Sequence, residues 1–137
     1  MPFLPALRIS ASALTAERLR MDVIASNIAN VHTTRTADGQ PYQRARVVFR
    51  PLAAQAPGQA GSGVVATAIV ADTRPGQTVH DPTHPDANAQ GDVTYPNVDI
   101  ATEMVDMMSA TRAYEANVVA LQAAKTMAAK ALEIAQA

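Results

Sequence analysis

Three residues near the middle of the chain have side chains and a spacing that could bind a metal ion or take part in catalysis. His80, Asp81 and His84 form a His-Asp-x-x-His sequence, and on a helix this spacing would direct both imidazoles toward one ion. Pro82 and Pro85 interrupt the segment, and proline inside a helix removes a backbone hydrogen bond and clashes with the preceding turn. We therefore expect these residues to be structural or exposed, with a metal-dependent enzyme as the less favoured alternative.

The rest of the sequence contains no pattern typical of a catalytic site. It has no cysteine, which excludes disulfides, thiolate metal sites and cysteine nucleophiles. It also has no Gly-x-Ser-x-Gly elbow, phosphate-binding glycine loop or paired-carboxylate motif. A formal net charge of −1 with both signs interspersed provides no basic surface for nucleic acid or an anionic membrane. We predict a protein that is not an enzyme and uses no metal, cofactor, nucleic acid or small-molecule substrate.

Asn27 and Asn30, in the sequence Ser-Asn-Ile-Ala-Asn, have two possible roles. Asparagine is common where a helix frays, because its side chain competes for backbone hydrogen bonds. Alternatively, two carboxamides three residues apart lie on one helix face, where they could bond a neighbouring backbone and fix its register. The residues alone leave both interpretations open.

The elements that would position these residues are two long terminal helices. Residues 6–31 and 97–137 contain neither glycine nor proline, whereas all six glycines and seven of the nine prolines lie between Gly39 and Pro96. This distribution predicts helices over about residues 5–30 and 100–136, separated by an insert. We expect Asn97 or Asp99 to cap the second helix by accepting from its free N–H groups.

Each predicted helix carries an apolar stripe with alternating spacings of three and four residues. The N-terminal stripe consists of Leu4, Leu7, Ala11, Leu14, Arg18, Met21, Ala25 and Ile28. The C-terminal stripe consists of Met104, Met107, Thr111, Tyr114, Val118, Leu121, Lys125, Ala128, Leu132 and Ala135. We predict an antiparallel coiled-coil pair, with Leu7, Leu14, Met21 and Ile28 packed against Tyr114, Val118, Leu121 and Leu132. We interpret Met104, Met107, Met108 and Tyr114 as packing residues rather than cofactor ligands.

The C-terminal helix has more apolar surface than one partner helix can cover. Val105, Met108 and Val119 lie off its stripe, and about 37 helical residues would form a rod roughly 55 Å long. The excess predicts packing between molecules. The N-terminus lacks the basic and apolar regions of a cleaved secretory signal, and no apolar run approaches the ~20 residues of a membrane span.

The insert is predicted to contain a small β-hairpin followed by an extended segment. An Asp38-Gly39 turn leads to a strand-like segment over 42–49, and residues 64–71 are rich in β-branched side chains. Residues 53–63 are interpreted as a linker between the two strands, and 72–96 as an extended segment rich in turn residues. The expected organisation is a mainly α chain: 1–34 N-terminal helix, 35–75 β insert, 76–98 Pro/Gly-rich arm, 99–137 C-terminal helix.

Two segments resemble the signatures of bacterial flagellar rod and hook proteins. Residues 10–34 (SASALTAERLRMDVIASNIANVHTT) are similar to the N-terminal signature of that family, and residues 103–117 (EMVDMMSATRAYEAN) to its C-terminal signature. The short length, with His84-Pro-Asp-Ala87 and Pro96-Asn-Val98, resembles the proximal-rod members. Asp99 and Asp92 depart from the pattern, since they stand where Asn and an aromatic residue are commoner.

The resemblance implies a function that the residues alone do not establish. Members of this family are exported through the flagellar type III apparatus without a cleaved signal, and they stack as a helical tube that crosses the periplasm and transmits motor torque. The implied partners are other copies of the chain, other rod subunits and the export apparatus. Members' terminal helices line the inner core of the tube and are commonly disordered before assembly. The resemblance also favours an assembly role for Asn27 and Asn30. A helical coiled-coil adaptor or export chaperone is the alternative.

Overall fold

A computed structural model describes residues 3–52 and 63–136 of the chain, and their side chains except at positions 3, 4, 135 and 136. In chain order the elements are α1 (Phe3–Ala29), β1 (Ala45–Leu52), β2 (Gly63–Ala71), β3 (Thr78–His80), β4 (Asp92–Thr94) and α2 (Ile100–Gln136). The mainly α architecture with a β-hairpin insert is confirmed. Within the described residues, neither helix has the length and apolar character needed to cross a membrane.

The two helices pack side by side in antiparallel orientation. The Asn27 carboxamide of α1 lies 2.9 Å from the Glu103 carboxylate of α2, and Met21 Sδ lies 3.7 Å from Thr111 Oγ1. A lower residue number on α1 is therefore paired with a higher residue number on α2, as antiparallel packing requires. α2 has 37 residues and α1 has 27, and residues 129–134 at the far end of α2 are exposed.

Every second described position of each predicted apolar stripe is covered in the structure. At most of the positions between them, the covered residue is the one before the predicted residue. Leu7, Leu14, Met21 and Ile28 are half-buried, and so are Met107, Tyr114, Leu121 and Ala128. Between them, the positions covered on α1 are Ser10, Glu17 and Ile24, not Ala11, Arg18 and Ala25. On α2 they are Glu103, Ala110, Asn117 and Ala124, although Val118 is also half-buried. Met104 and Leu132 are 56% and 58% exposed, so the predicted place of Leu132 in the intrachain seam is wrong.

α1 also has a second covered face, which a single stripe did not predict. Ala16, Val23 and Asn27 are buried, and both β1 and β2 contact α1. α1 therefore lies between α2 and the hairpin.

β1 and β2 form an antiparallel hairpin, as predicted, with β1 three residues later than expected. Ala45 pairs with Ala71 and Leu52 with Gly63, and a bulge beside Val48 leaves Thr67 as the extra residue. Burial alternates along the start of β1, where Ala45, Val47 and Phe49 are half-buried, as a strand packed on one face requires. The predicted linker over 53–63 lies outside the described residues, apart from Gly63.

A backbone contact at Gly63 attaches the hairpin to α1. The Val64 N–H donates to Ser12 Oγ at 3.0 Å, and Ser12 Oγ donates in turn to the Ile9 carbonyl at 2.7 Å. A β-carbon at Gly63 would lie 2.3 Å from Ser12 Oγ, and the φ of Gly63 is +123°. Only glycine meets both requirements without strain.

Residues 76–98 are not an extended arm, which corrects the prediction for that segment. β3 and β4 pair antiparallel, Thr78 with Thr94 and His80 with Asp92. Gly76 passes so close to the Tyr95 carbonyl that an added β-carbon would lie 1.7 Å from its oxygen, and Val93 is buried. Pro82 and Pro85 lie in the connecting turns, where their fixed φ and missing N–H are compatible with the backbone.

Asp99, rather than Asn97, caps α2. Its carboxylate accepts from the N–H groups of Ala101 and Thr102 and from the Thr102 hydroxyl. These hydrogen bonds lower the pKa of Asp99, and the bond from the Thr102 hydroxyl has the largest effect. An anionic oxygen at a helix N-terminus also interacts favourably with the helix dipole.

Candidate functional site: a buried polar cluster and the outward face of α2

The most buried polar side chain of α1 is Asn27, which is 1% exposed. Its amide nitrogen donates to the Ala45 carbonyl and to Glu103 Oε2, both at 2.9 Å. Its oxygen accepts from the Tyr42 hydroxyl and the Ala45 N–H, also both at 2.9 Å. A carboxamide has two donors and two acceptor positions, so every hydrogen-bonding position of Asn27 is used. It binds the start of β1 to both helices.

Glu103 faces Asn27 from α2 and is completely buried. Its second oxygen accepts a hydrogen bond from Arg44 Nε. Arg44 also donates from Nη2 to Asp106 at 3.0 Å, and Asp106 lies 3.8 Å from the guanidinium of Arg20. The buried Glu103 carboxylate is therefore paired with the Arg44 guanidinium, which is the condition under which a charge is tolerated in a protein interior. We call Asn27, Tyr42, Arg44, Glu103 and Asp106 the polar cluster.

Asn97 connects the segment before α2 to the base of the hairpin. Its oxygen accepts from the Arg44 N–H at 2.8 Å, and its nitrogen donates to the carbonyls of Asp72 and Arg74 at 2.9 and 3.0 Å. Asn97 thus holds the open end of the hairpin, and Ser12 holds the end near Gly63.

Asp72, the first residue after β2, is a buried carboxylate paired with an exposed arginine. Arg74 donates to it from Nε at 3.0 Å and from its backbone N–H at 3.1 Å. The hydrogen bonds from the Arg74 side chain, and then from its backbone, lower the pKa of Asp72 from 3.8 to about 2.

The two asparagines of the Ser-Asn-Ile-Ala-Asn sequence have different environments. Asn30 donates to the Ser26 carbonyl of its own helix at 2.9 Å and accepts from the Thr33 hydroxyl at 3.1 Å. It therefore closes the end of α1 locally, whereas Asn27 bonds the backbone of a different element.

The side chains of His80, Asp81 and His84 bond three different partners. His80 Nδ1 lies 2.8 Å from Asp92 across the β3–β4 pair, and His84 Nδ1 accepts from the Asp86 N–H at 3.1 Å. Asp81 accepts from the hydroxyl and N–H of Thr83, and these bonds lower its pKa. Among residues 3–52 and 63–136, no group of three His, Asp or Glu side chains could hold a metal ion.

The outward face of α2 is the second feature with functional meaning. It exposes large apolar side chains along its length, including Val119 at 64%. The exposed members are Ile100, Met104, Val105, Met108, Val119, Met127, Leu132 and Ile134. Single exposed apolar residues are ordinary, but a group of them on one helix is typical of a contact surface.

Sequence reasoning missed Arg44 and Glu103 as members of a site. Glu103 belonged only to the predicted C-terminal helix, and Arg44 belonged to a predicted strand. The partners of the cluster are 15 to 76 residues apart in the chain, and no local pattern connects them. The one usable signal was Asn27. One of its two predicted roles was to bond a neighbouring backbone, and in the structure it bonds the backbone of Ala45.

Two segments of the chain match family models of flagellar basal-body rod proteins. Residues 7–35 match the family model described as "Flagella basal body rod protein". Residues 89–134 match "Flagellar basal body rod FlgEFG protein C-terminal". Asn27 lies in the first match, and Glu103 and Asp106 lie in the second. The resemblance inferred from the two terminal segments is confirmed.

Full-length relatives narrow the class to one family. The flagellar basal-body rod protein FlgC of Bacillus subtilis is 49% identical over 142 residues, covering 93% of this chain and 95% of the relative. FlgC of Borreliella burgdorferi is 42% identical, with 95% of both chains covered. FlgC of Salmonella typhimurium is 44% identical, covering 93% of this chain and 94% of the relative. The chain belongs to the FlgC family of flagellar basal-body rod proteins.

Proposed function

We propose that this chain is a structural subunit of the proximal part of the flagellar rod, where copies stack helically into the shaft that transmits torque. Family membership supports the assignment to the rod, because several relatives carry the name of a basal-body rod protein. The structural observation that carries it is the outward face of α2, since the apolar residues it exposes have no cover within the described subunit.

In this proposal the helix pairs pack laterally as coiled coils to form the inner wall of the rod. Contacts of this kind are heterologous and do not close, which produces a helical filament rather than a ring. Residues 1–34 and 99–137 form the rod core, while 35–75 and 76–98 contact neighbouring subunits or face outward. The residues predicted to serve packing or assembly are Leu7, Leu14, Met21, Asn27, Ile28, Asn30, Met104, Met107, Tyr114, Val118, Leu121 and Leu132.

The partners in this proposal are copies of the same chain, other rod subunits and the type III export apparatus. The subunit acts in the periplasmic part of the basal body and reaches it without a cleaved signal. These properties follow from the resemblance of residues 10–34 and 103–117 to rod and hook proteins.

A charge placed on the outward face of α2 tests the proposal. Val119→Lys alters a side chain that is 64% exposed in the subunit, so we expect the helical circular dichroism and thermal midpoint to stay unchanged. Motility and isolated rods should be lost in cells whose only copy carries Val119→Lys, because a buried unpaired charge is costly. Gln43→Lys, at an exposed position near β1, is the control for the added charge. Normal motility with both Val119→Lys and Met108→Lys would contradict the proposed contact surface.

A further inference from the structure

The apolar contacts between α1 and α2 do not define a unique register. Larger apolar side chains recur every seven residues on α1, at Leu7, Leu14, Met21 and Ile28. On α2, Met107, Tyr114 and Leu121 recur with the same period, and small residues such as Ala110 and Ala124 are buried between them. Sliding α2 by seven residues, roughly 10 Å, would again place large side chains beside large ones. Burial of apolar area alone therefore discriminates poorly between the two registers.

The polar cluster, by contrast, is not repeated along α2. The residue seven positions after Glu103 is Ala110, so the slipped register would place a methyl group beside Asn27 and Arg44. One amide hydrogen of Asn27 and the Nε–H of Arg44 would then be buried without an acceptor. Unpaired buried donors and charges are strongly unfavourable. We propose that Glu103, through its bonds to Asn27 and Arg44, determines the register of the helix pair.

The same bonds also position the hairpin. Within the described residues, β1 and β2 contact α1 but not α2, and the hydrogen bonds from residues 42–52 and 63–72 to α2 run through Arg44. Asn27 holds both backbone groups of Ala45, the first residue of β1. A register error would consequently displace the hairpin from the helix pair. The inference concerns the fold of one subunit and is independent of the rod assembly proposed above.

Exchanging residues between two turns of α2 tests this role without changing composition. In the variant Glu103→Ala, Asp106→Ala, Ala110→Glu and Ala113→Asp, a slip by seven residues rebuilds the cluster with its carboxylates at positions 110 and 113. Asn97 also ties the start of α2 to Arg44, so all chains carry Asn97→Ala to remove that separate restraint. The chain has no cysteine, so introduced cysteine pairs report the register. Met21→Cys with Thr111→Cys reports the native register, and Met21→Cys with Val118→Cys reports the slipped one.

Crosslinking uses a bifunctional thiol reagent whose reach is shorter than the slip of roughly 10 Å, in the full chain, both purified and in cells. With Glu103 in place, we expect the 21/111 pair to crosslink at least tenfold more than the 21/118 pair. The exchanged chain should invert that ratio. An exchanged chain that keeps its helical circular dichroism and still crosslinks mainly at 21/111 would overturn the proposal.

A second variant covers the case in which the exchanged chain fails to fold. Asn27→Leu with Arg44→Met and Glu103→Leu replaces three of the five cluster residues with apolar side chains of similar size, a change that proteins often tolerate. We expect this chain to remain helical and to crosslink at both 21/111 and 21/118. Leu14→Ala, which weakens packing and leaves the cluster intact, is the matched control and should crosslink only at 21/111. If the triple variant crosslinked only at 21/111, the apolar contacts would determine the register and the proposal would be wrong.

Discussion

Because of Asp72, we expect the folding stability of this protein to depend on pH in the acid range. Its pKa is lowered to about 2 by Arg74, from an ordinary value of 3.8. A carboxyl group whose pKa is depressed on folding contributes stability that is complete above its unfolded pKa and is lost as pH falls toward its folded pKa. The contribution of Asp72 should therefore decline between about pH 4 and pH 2.

Urea unfolding at several pH values between 5 and 2 measures this effect. We expect Asp72→Asn to be less stable than the wild type at pH 5, with a difference that shrinks toward zero near pH 2. Asp22→Asn, which removes the same charge from an exposed position on α1, should leave the wild-type pH profile in place. A constant difference between wild type and Asp72→Asn across this range would show that the ion pair does not contribute.

The individual residues differ in how far the sequence could assign them. Asp99 was one of two expected caps, with Asn97, and it could be named on local grounds because the groups it bonds lie two and three residues away. Asn27 and Asn30 have the same residue type and lie one turn apart, but only tertiary contacts distinguish them. Glu103 is buried because Arg44 and Asn27 satisfy its oxygens, and both partners are remote in sequence. Local chemistry was predictable, and long-range pairing was not.

At the scale of elements, attachment of the hairpin to α1 depends on the absence of a side chain at Gly63. Alanine at this position would introduce a contact of 2.3 Å with Ser12 Oγ at a φ of +123°. We expect Gly63→Ala to destabilise the protein by about 1–3 kcal/mol. Amide exchange should be accelerated at Val64, whose N–H bonds Ser12.

Two further variants separate the clash from the backbone strain. Gly39→Ala introduces a side chain at a φ of +76° with nothing within 4 Å of the new carbon, so it carries backbone strain alone. Ser12→Ala removes the oxygen that the new carbon would meet, so Gly63→Ala should cost less in that background. If Gly63→Ala and Gly39→Ala have equal cost, and Ser12→Ala gives no relief, the close approach has no energetic weight.

For the two helices, the sequence predicted the bounds better than it predicted which face of each helix contacts its partner. The bounds of α1 and α2 agree closely with the predicted 5–30 and 100–136, because the absence of glycine and proline is a strong signal. The phase of the C-terminal stripe was displaced because apolar residues such as Met104 lie outside the interface, while Glu103 and Asn117 lie within it. When apolar residues surround a helix, the pattern cannot identify which face its partner takes.

β3 and β4 were missed for a related reason. Strands of three residues among prolines and glycines have too little sequence to show alternation. Their pairing is supported by close backbone approach at Gly76 and by burial of Val93. Neither contact can be seen in the local pattern.

On the scale of the whole molecule, stability should decrease from the polar cluster toward the far end of α2. Near the cluster, α1, α2 and the base of the hairpin are joined by buried hydrogen bonds. At the other end, residues 129–134 of α2 are exposed, Ile134 to 78%. Backbone hydrogen bonds with few buried contacts around them open at low free-energy cost. In the free subunit we therefore expect strong amide protection around Ile24 and Met107 and weak protection after Ala128.

Hydrogen exchange of the free subunit and of isolated rods tests this gradient and its link to assembly. If the apolar end of α2 is covered by neighbouring subunits, protection of residues 128–134 should rise at least tenfold in the rod, while protection near Met107 should change much less. Val119→Lys, which is designed to block assembly, should keep the gradient of the free subunit. Equal and strong protection along all of α2 in the free subunit would contradict the argument, because it would mean that one subunit stabilises its exposed apolar helix without a partner.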